Sequence, residues 1–183
     1  MPKLGEPHLG ETTSFPLTVR EQGTVYEDPN RKITKVVARF AGFNKEYLVS
    51  DSGERAGVLV VCNGEALFTR QYRLLINNIS YEIPGGRVDE NETPEIAAAR
   101  ECLEETGVRC ANLKPLVAFH PGLDTTRNYT HVFYSEHIEE VRMEDCGQRA
   151  WIPLANCVNM VSAQQIVDSL SIIALLKYRL LVS

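Results

Sequence analysis

The sequence lacks three features that would direct it to particular protein classes: an excess of positive charge, closely spaced cysteine pairs and a long apolar run. The 24 acidic side chains outnumber the 19 basic ones and give a formal charge of -5, which argues against nucleic-acid and membrane partners. The five cysteines show no C-x-x-C spacing, so neither a disulfide framework nor a zinc site is expected. No segment has the pattern of a membrane span or a secretory signal, and we expect a cytoplasmic protein with reduced thiols.

Short apolar stretches separated by turn-forming residues predict a mixed α/β fold. Residues 1–54 predict a strand-rich N-terminal extension. The stronger strands that follow, at 56–62 and 66–72, are joined by Asn63-Gly64, which accommodates the positive φ angles of a tight hairpin turn. We therefore expect a second domain over residues 55–183, in which helices cover a central mixed sheet.

The clearest helix of the chain is predicted from about Pro94 to Thr106. Thr93 can cap its N-terminus through a side-chain oxygen, and Gly107 can end it in a left-handed conformation. A second, amphipathic helix is expected over residues 163–180, where charged side chains interrupt an apolar run. We expect both helices to pack on the core.

Three carboxylates share one face of the first of these helices. At 100° per residue, Glu101, Glu104 and Glu105 fall within an arc of about 100°, opposite an apolar face. Like charges at this spacing repel, so a cation is expected there, and oxygen ligands favour Mg²⁺ or Mn²⁺. Ala97 and Ala98 are expected to interrupt the arc and leave room for a metal and a phosphate. A solvated acidic face is the alternative for this pattern taken alone.

The segment that contains this helix carries a longer motif. From Gly86 to Val108 it reads GRVDENETPEIAAARECLEETGV, which matches the Nudix box, G-x5-E-x7-R-E-U-x-E-E-x-G-U, at every fixed position. Cys102 stands at the first aliphatic position, U, and is a small apolar residue that should pack acceptably. The chain therefore resembles the Nudix hydrolases. The resemblance implies an α/β/α sandwich with a mixed sheet that uses Mg²⁺, or Mn²⁺, to hydrolyse the pyrophosphate of a nucleoside diphosphate derivative.

Several residues in or beside the box acquire roles through this resemblance. Three of them are implied metal ligands: Glu101, Glu105 and the carbonyl group of Gly85. Glu104 lies near these ligands, and we group it with Arg100 as a catalytic candidate. Arg100 and Glu92 fall at the positions that brace the loop and the helix through ionic contacts, so the loss of either should weaken the site indirectly.

Two segments outside the box look like the ADP-ribose pyrophosphatase branch of the family. Residues 68–73 read FTRQYR and residues 81–86 read YEIPGG, similar to the Q-Y-R and E-L-P-A-G segments of that branch. The resemblance places Arg73 and Glu82 at the substrate. It implies that ADP-ribose is hydrolysed to AMP and ribose 5-phosphate.

One segment departs from the branch. The turn Pro121-Gly122 is present, but the acid that usually follows it is absent, and Arg127 stands nearby as a residue that could meet a phosphate or a different terminal group. Another nucleotide sugar, such as GDP-mannose, is therefore the alternative substrate, and a non-catalytic nucleotide-sensing module is the alternative function. The branch also implies a homodimer in which the extension, residues 1–54, helps to build the substrate site.

The resemblance also implies a general base in a loop between the last strands. An acidic run occupies this stretch, and Glu144 is our choice by its spacing to Trp151. Glu139, Glu140 and Asp145 remain alternatives. The alternative is that the run has no function and is a loop of solvated charges.

Overall fold

The computed structural model describes residues 15–29, 31–123, 125–141 and 148–182. The chain divides into two compact units, one formed by residues 1–52 with 124–126 and the other by residues 53–123 with 127–183. Within the described ranges, none of the helices is long and apolar enough to cross a membrane.

The first unit is an antiparallel sheet of β1 (Thr18–Asp28), β2 (Arg31–Arg39) and β3 (Asn44–Asp51), with β2 in the middle. Alternation along β2 buries every second residue from Thr34 to Ala38 on one face. All residues of β1 are exposed. The expected strand-rich character of the N-terminal part is therefore present.

The remaining strands follow in chain order: β4 (Arg55–Cys62), β5 (Glu65–Arg73), β6 (Asn78–Glu82), β7 (Gly85–Arg87), β8 (Val108–Ala111), β9 (Lys114–Phe119), β10 (Thr126–Arg127), β11 (Thr130–Ser135), β12 (His137–Val141) and β13 (Arg149–Pro153). The central sheet of the second unit has the order β13-β5-β4-β11-β9, with β6 beside β5 and β7 beside β4. β11 runs parallel to β4, whereas β9 is antiparallel to β11 and β5 is antiparallel to β4. The sheet is therefore mixed, and β8 and β12 form a separate pair.

Three helices belong to the second unit: α1 (Pro94–Thr106), α2 (Leu154–Ser162) and α3 (Ser169–Val182). Side chains alternate along β4, so that Val58 and Val60 pack on the side of α1, whereas Leu59 and Val61 pack on the side of α2 and α3. Burial on both faces explains why β4 is a continuous apolar run. The predicted α/β/α sandwich with a mixed sheet is confirmed.

The predicted hairpin is confirmed, whereas the predicted C-terminal helix starts later than expected. Asn63 and Gly64 join β4 to β5 with φ angles of 50° and 79°. The helix expected over 163–180 begins only at Ser169, as α3, and an unpredicted helix, α2, precedes it over Leu154–Ser162. The break between them contains Gln164, with a φ angle of 57°, and Asp168, whose carboxylate accepts a hydrogen bond from the Ser171 N–H and caps α3.

Candidate active site

Helix α1 carries the acidic side chains, and local signals fix both of its ends. The hydroxyl of Thr93 accepts a hydrogen bond from the backbone N–H of Ile96 at 3.3 Å, and Pro94 occupies the first turn. Gly107 ends the helix with a φ angle of 69°, and its N–H donates to the Leu103 carbonyl. The predicted bounds and caps of this helix are confirmed.

The buried face of α1 includes Cys102 and Thr106 of the predicted apolar face and extends beyond it. Ala97 and Ala98 are fully buried against the central sheet, so the prediction that they leave room for a metal and a phosphate is wrong. Their methyl groups instead allow the helix to pack closely on β4. As a result, Glu101 and Glu105 lie at the rim of the core and are partly buried, while Glu104 is exposed. The three carboxylates therefore do not form one solvated face.

Glu105 is held by two uncharged donors. Its Oε1 accepts from the side-chain amide of Gln71 at 2.8 Å, and its Oε2 accepts from the backbone N–H of Gly85 at 3.1 Å. Burial raises the pKa of Glu105 above its usual range, and the negative charges of Glu101 and Glu82 raise it further. Among the described residues, no lysine, arginine or histidine forms an ion pair with this carboxylate. It is therefore a partly buried negative charge without a cationic partner there.

Arg100 hydrogen-bonds the carboxylates of Glu92, Glu101 and Glu104. Its Nε and Nη2 donate to the two oxygens of Glu92 at 2.9 Å and 3.0 Å, and Nη2 also donates to the Arg87 carbonyl at 3.0 Å. Its Nη1 donates to Glu101 at 3.0 Å and to Glu104 at 3.1 Å. The hydrogen bond with Glu92 raises the pKa of Arg100 and lowers that of Glu92. One guanidinium thus joins the loop before α1 to the acidic side of the helix.

Glycines of β7 shape the space beside these carboxylates. A Cβ atom at Gly86 would overlap the carboxylate of Glu101, and one at Gly85 would lie 2.7 Å from the Ala56 carbonyl oxygen. Within the described ranges, no group of three acidic, histidine or cysteine side chains is placed so as to hold a metal ion by itself. Mg²⁺ commonly binds through one or two carboxylates and completes its shell with water and phosphate oxygens. Glu101 and Glu105, together with the space that Gly86 leaves open beside the Glu101 carboxylate, fit such an ion.

Strands β5 and β6 present a second charged pair, formed by the two residues that the resemblance places at the substrate. Arg73 donates from Nε to one oxygen of Glu82 at 2.8 Å and from Nη2 to the other oxygen. The Glu82 side chain is 12% exposed, whereas that of Arg73 is 49% exposed, so the guanidinium retains an open side. The hydrogen bond with Glu82 raises the pKa of Arg73, and the charges of Asp168 and Glu105 add to this effect.

Gln71 lies between the carboxylates of α1 and the ion pair of Arg73 and Glu82, and it is not among the predicted site residues. It lies on β5, donates to Glu105, and stands opposite Ser80 in the register of β5 with β6. Because strand side chains alternate, Gln71 and Arg73 point to the same face. The available signal is its place in the Q-Y-R segment, but the contact joins positions 34 residues apart and leaves no local pattern.

The remaining candidates lie elsewhere in the chain. Glu144, the expected general base, and its alternative Asp145 are outside the described residues. The other two alternatives, Glu139 and Glu140, lie on β12, and not in a loop as expected, because this strand pairs with β8. There the Nε of Arg109 donates to Glu140 at 3.3 Å. Arg127 lies on β10 with an exposed side chain.

Sequence comparison relates the chain to known proteins. The family model of the NUDIX domain matches residues 52–166, more than half of the chain. The ADP-ribose pyrophosphatase of Bacillus subtilis (strain 168) is 25% identical over 132 residues, which cover 69% of this chain and 71% of that protein. The CMP-5'-(N-acetyl-N-hydroxy-3-aminopropyl)phosphonate hydrolase of Streptomyces rubellomurinus (strain ATCC 31215) is 28% identical over 114 residues. That match covers 60% of this chain and 55% of the relative, so the chain spans about half of its length.

A solved structure described as an ADP compounds hydrolase has a similar fold. It aligns with 94% of this chain and 97% of its own, with a TM-score of 0.74 and 18% sequence identity. At this identity the likeness supports the fold, while the family follows from the domain match and from the box that forms α1 and its lead-in loop. The chain belongs to the Nudix family and is a Nudix hydrolase.

Proposed function

We propose that this Nudix hydrolase cleaves the pyrophosphate bond of a nucleoside diphosphate derivative with Mg²⁺, which Mn²⁺ can replace, and converts ADP-ribose into AMP and ribose 5-phosphate. The Q-Y-R segment and the name of the Bacillus subtilis relative support ADP-ribose as the substrate. Glu101, Glu104 and Glu105 form what we call the acidic rim of α1. The ion pair of Arg73 and Glu82 lies close enough to this rim for the charge of Glu105 to act on Arg73, which supports a site for a phosphate beside a metal.

The observation that carries this proposal is the environment of Glu105. Its carboxylate is partly buried, is held by neutral donors and lies near other negative charges, so keeping it ionised without a cation is costly. Mg²⁺ bound through Glu101, Glu105 and the Gly85 carbonyl would offset this cost, neutralise the diphosphate and lower the pKa of a bound water. A purely structural carboxylate at this position would gain from an arginine or lysine partner instead.

The substrate-binding residues act by charge and hydrogen bonding. Arg73 contacts a phosphate oxygen with the open side of its guanidinium, while Glu82 holds the other side in place. Arg127, which is exposed on β10, contacts the phosphate or the terminal group of the substrate. These two arginines supply the positive charge that the chain as a whole, at a net charge of -5, does not.

The remaining residues position the acidic rim and accept a proton. Arg100 fixes the carboxylates of Glu101 and Glu104 through two hydrogen bonds from one nitrogen. Glu104, the most exposed of the three box carboxylates on α1, stays within reach of solvent and substrate. Glu144 takes the proton of the attacking water, as the resemblance implies.

We further propose that the chain is a homodimer whose N-terminal part, residues 1–54, forms the subunit contact and contributes to the substrate site. Among the described residues of this part, seven large apolar side chains are more than half exposed: Phe15, Leu17, Val19, Val25, Tyr26, Phe43 and Leu48. Light scattering should give twice the chain mass, and a monomer at micromolar concentration would contradict the proposal. The free thiols of the described residues agree with a cytoplasmic location.

The substrate proposal is tested with a panel of ADP-ribose, GDP-mannose, NADH, diadenosine polyphosphates and nucleoside triphosphates, assayed with Mg²⁺, Mn²⁺ or EDTA. Metal-dependent release of AMP, fastest from ADP-ribose, is expected. Glu105→Gln should be inactive, whereas Glu95→Gln, which removes an exposed charge from the first turn of the same helix, should retain wild-type rates. Activity on the panel that persists in EDTA would contradict the metal requirement.

Another nucleotide sugar is the second candidate substrate. The acid that usually follows the Pro121-Gly122 turn is absent, and the Streptomyces relative is named for a cytidine nucleotide derivative. A preference for GDP-mannose in the panel would retain the chemistry and replace the substrate. Tight binding of a nucleotide without turnover would favour the sensing module.

A further inference from the structure

A pocket of about 340 Å³ opens between the hairpin of β5 and β6 and the N-terminus of α3. Its walls combine apolar and polar side chains: Arg73, Leu74, Ile76, Ser80, Val167 and Asp168. Small-molecule sites commonly have this volume and this combination of an apolar lining with a few polar groups. We call it the Ser80 pocket.

Ser80 contributes a buried hydroxyl that lacks a partner. Its side chain is 1% exposed, and its Oγ has no hydrogen-bond partner among the described residues. Buried hydroxyl groups are normally hydrogen-bonded, because an unpaired one loses its interaction with water without a replacement. A hydroxyl in this state on a pocket wall indicates that a ligand, or a water that the ligand displaces, is its partner.

Asp168 contributes a carboxylate that Ser171 holds in place through two hydrogen bonds. Its Oδ2 accepts from both the N–H and the hydroxyl of Ser171 at 2.8 Å. The Ser171 hydroxyl in turn accepts from the backbone N–H of Ile83 at 2.9 Å, which ties α3 to the residue after β6. The carboxylate that caps α3 is thus pre-positioned on the pocket wall, with lone pairs beyond those used by Ser171.

The pocket adjoins the acidic rim through a single residue. Ser80 lies directly opposite Gln71 in the β5–β6 register, so the two side chains share one face of the sheet. Gln71 donates to Glu105, and Arg73, the next residue on that face, lines the pocket. A diphosphate bound between the proposed metal site at Glu105 and the guanidinium of Arg73 would therefore place the group beyond its distal phosphate in the Ser80 pocket.

We infer that the Ser80 pocket binds the sugar attached to the distal phosphate of the substrate, with Ser80 and Asp168 hydrogen-bonded to sugar hydroxyls. This inference rests on the proposed function. A carboxylate accepts from ribose hydroxyls in other nucleotide sites, and the side chains of Leu74, Ile76 and Val167 suit the C–H surface of the ring. The carboxylate of Asp168 repels a further phosphate, whereas Glu82 is already paired with Arg73, which favours an uncharged hydroxyl-bearing group as the ligand.

The test compares two substrates that differ only beyond the distal phosphate: ADP-ribose, or the nucleotide sugar preferred in the panel, and the methyl ester of the same nucleoside diphosphate. Ser80→Ala should lower kcat/KM for the sugar substrate about fivefold to tenfold, mainly through KM, and leave the methyl ester unchanged. Ser80→Leu, which fills the pocket, should give a larger loss on the sugar substrate alone. Ile79→Ala, on the same strand but the opposite face, should affect neither substrate.

The outcomes separate this inference from the function on which it rests. Wild-type protein that hydrolyses the sugar substrate, with Ser80→Ala and Ser80→Leu affecting both substrates equally, overturns the pocket assignment and leaves the function intact. Wild-type protein that hydrolyses neither substrate overturns both. The melting temperature of Ser80→Ala should equal or exceed that of wild type, because the buried hydroxyl has no partner to lose. A large decrease would mean that the hydroxyl has a structural role and would contradict the inference.

Discussion

Glu105→Gln is the substitution that most directly tests the acidic rim. It retains the size of the side chain and removes its charge, while the single carbonyl oxygen can accept from Gln71 or from Gly85 but not from both in the present geometry. The lost hydrogen bond and the relieved buried charge act in opposite directions. We therefore expect the metal-free variant and wild type to differ in free energy of unfolding by less than about 1 kcal/mol.

The effect of metal should be much larger than this difference. A ligand present at about one hundred times its dissociation constant stabilises the folded protein by about 2.7 kcal/mol. For a chain of this length, each kcal/mol raises the melting temperature by about 2–4 °C, so saturating Mg²⁺ should raise that of wild type by roughly 5–10 °C. Glu105→Gln should lose most of this increase and at least about a hundredfold in kcat, which corresponds to about 2.7 kcal/mol in the barrier.

The assay is a thermal melt with and without MgCl₂, combined with AMP release. Glu95→Gln serves as the control and should behave as wild type. Because burial raises the pKa of Glu105 in the folded state, its ionisation destabilises the fold as pH rises through that pKa, and wild type should gain stability relative to Glu105→Gln as pH falls from neutral. A variant that keeps the full metal-induced shift, or more than about a tenth of the activity, would refute the assignment.

Three further substitutions test other residues of the proposed site. Gly86→Ala should displace the Glu101 carboxylate, a flexible group that can move, and so lower kcat more than about tenfold. The melting temperature should change little. A large decrease in melting temperature alongside the loss of kcat would contradict the role of Gly86 in leaving space for this carboxylate. Arg100→Lys cannot form the paired bonds with Glu92 and should weaken Mg²⁺ binding about tenfold, measured by calorimetry; unchanged affinity would rule out a bracing role. Glu144→Gln should reduce kcat strongly with modest change in KM, whereas wild-type turnover would move the base to another acid.

The sequence predicts α1 well because its signals are local. Thr93 and Gly107 act on backbone groups within the adjacent turn, and the box fixes the spacing between them. The Asn63-Gly64 hairpin is predictable for the same reason, since both residues adopt the positive φ angles that the turn requires. Such elements need no information from distant parts of the chain.

Predictions fail where packing across the fold decides the outcome. The helical wheel separates an apolar from an acidic face, but contact with β4 buries Ala97 and Ala98 and draws Glu105 into the rim. The predicted C-terminal helix starts too early, because Gln164 adopts a positive φ angle and Asp168 caps α3 only at Ser169. An acidic strand such as β12 is mistaken for a loop because its polar side chains hide the pairing with β8.

The site follows the same division. The box identifies Glu101, Glu105 and Arg100 by type and spacing alone, and the structure adds which of them are joined. The contact of Gln71 with Glu105 and the unpaired hydroxyl of Ser80 depend on strand register and on the position of α3, neither of which leaves a periodic signal. Their roles therefore arise only from the folded geometry.

The most direct test of the central claim is the rate of AMP formation from ADP-ribose as Mg²⁺ is titrated into metal-free wild type and Glu105→Gln. The proposed function predicts a saturable increase for wild type, with AMP and ribose 5-phosphate formed in equal amounts, and an increase at least about a hundredfold smaller for the variant. Equal rates for the two proteins, or hydrolysis that does not depend on the concentration of the metal, would contradict a metal-assisted pyrophosphatase built on the acidic rim of α1.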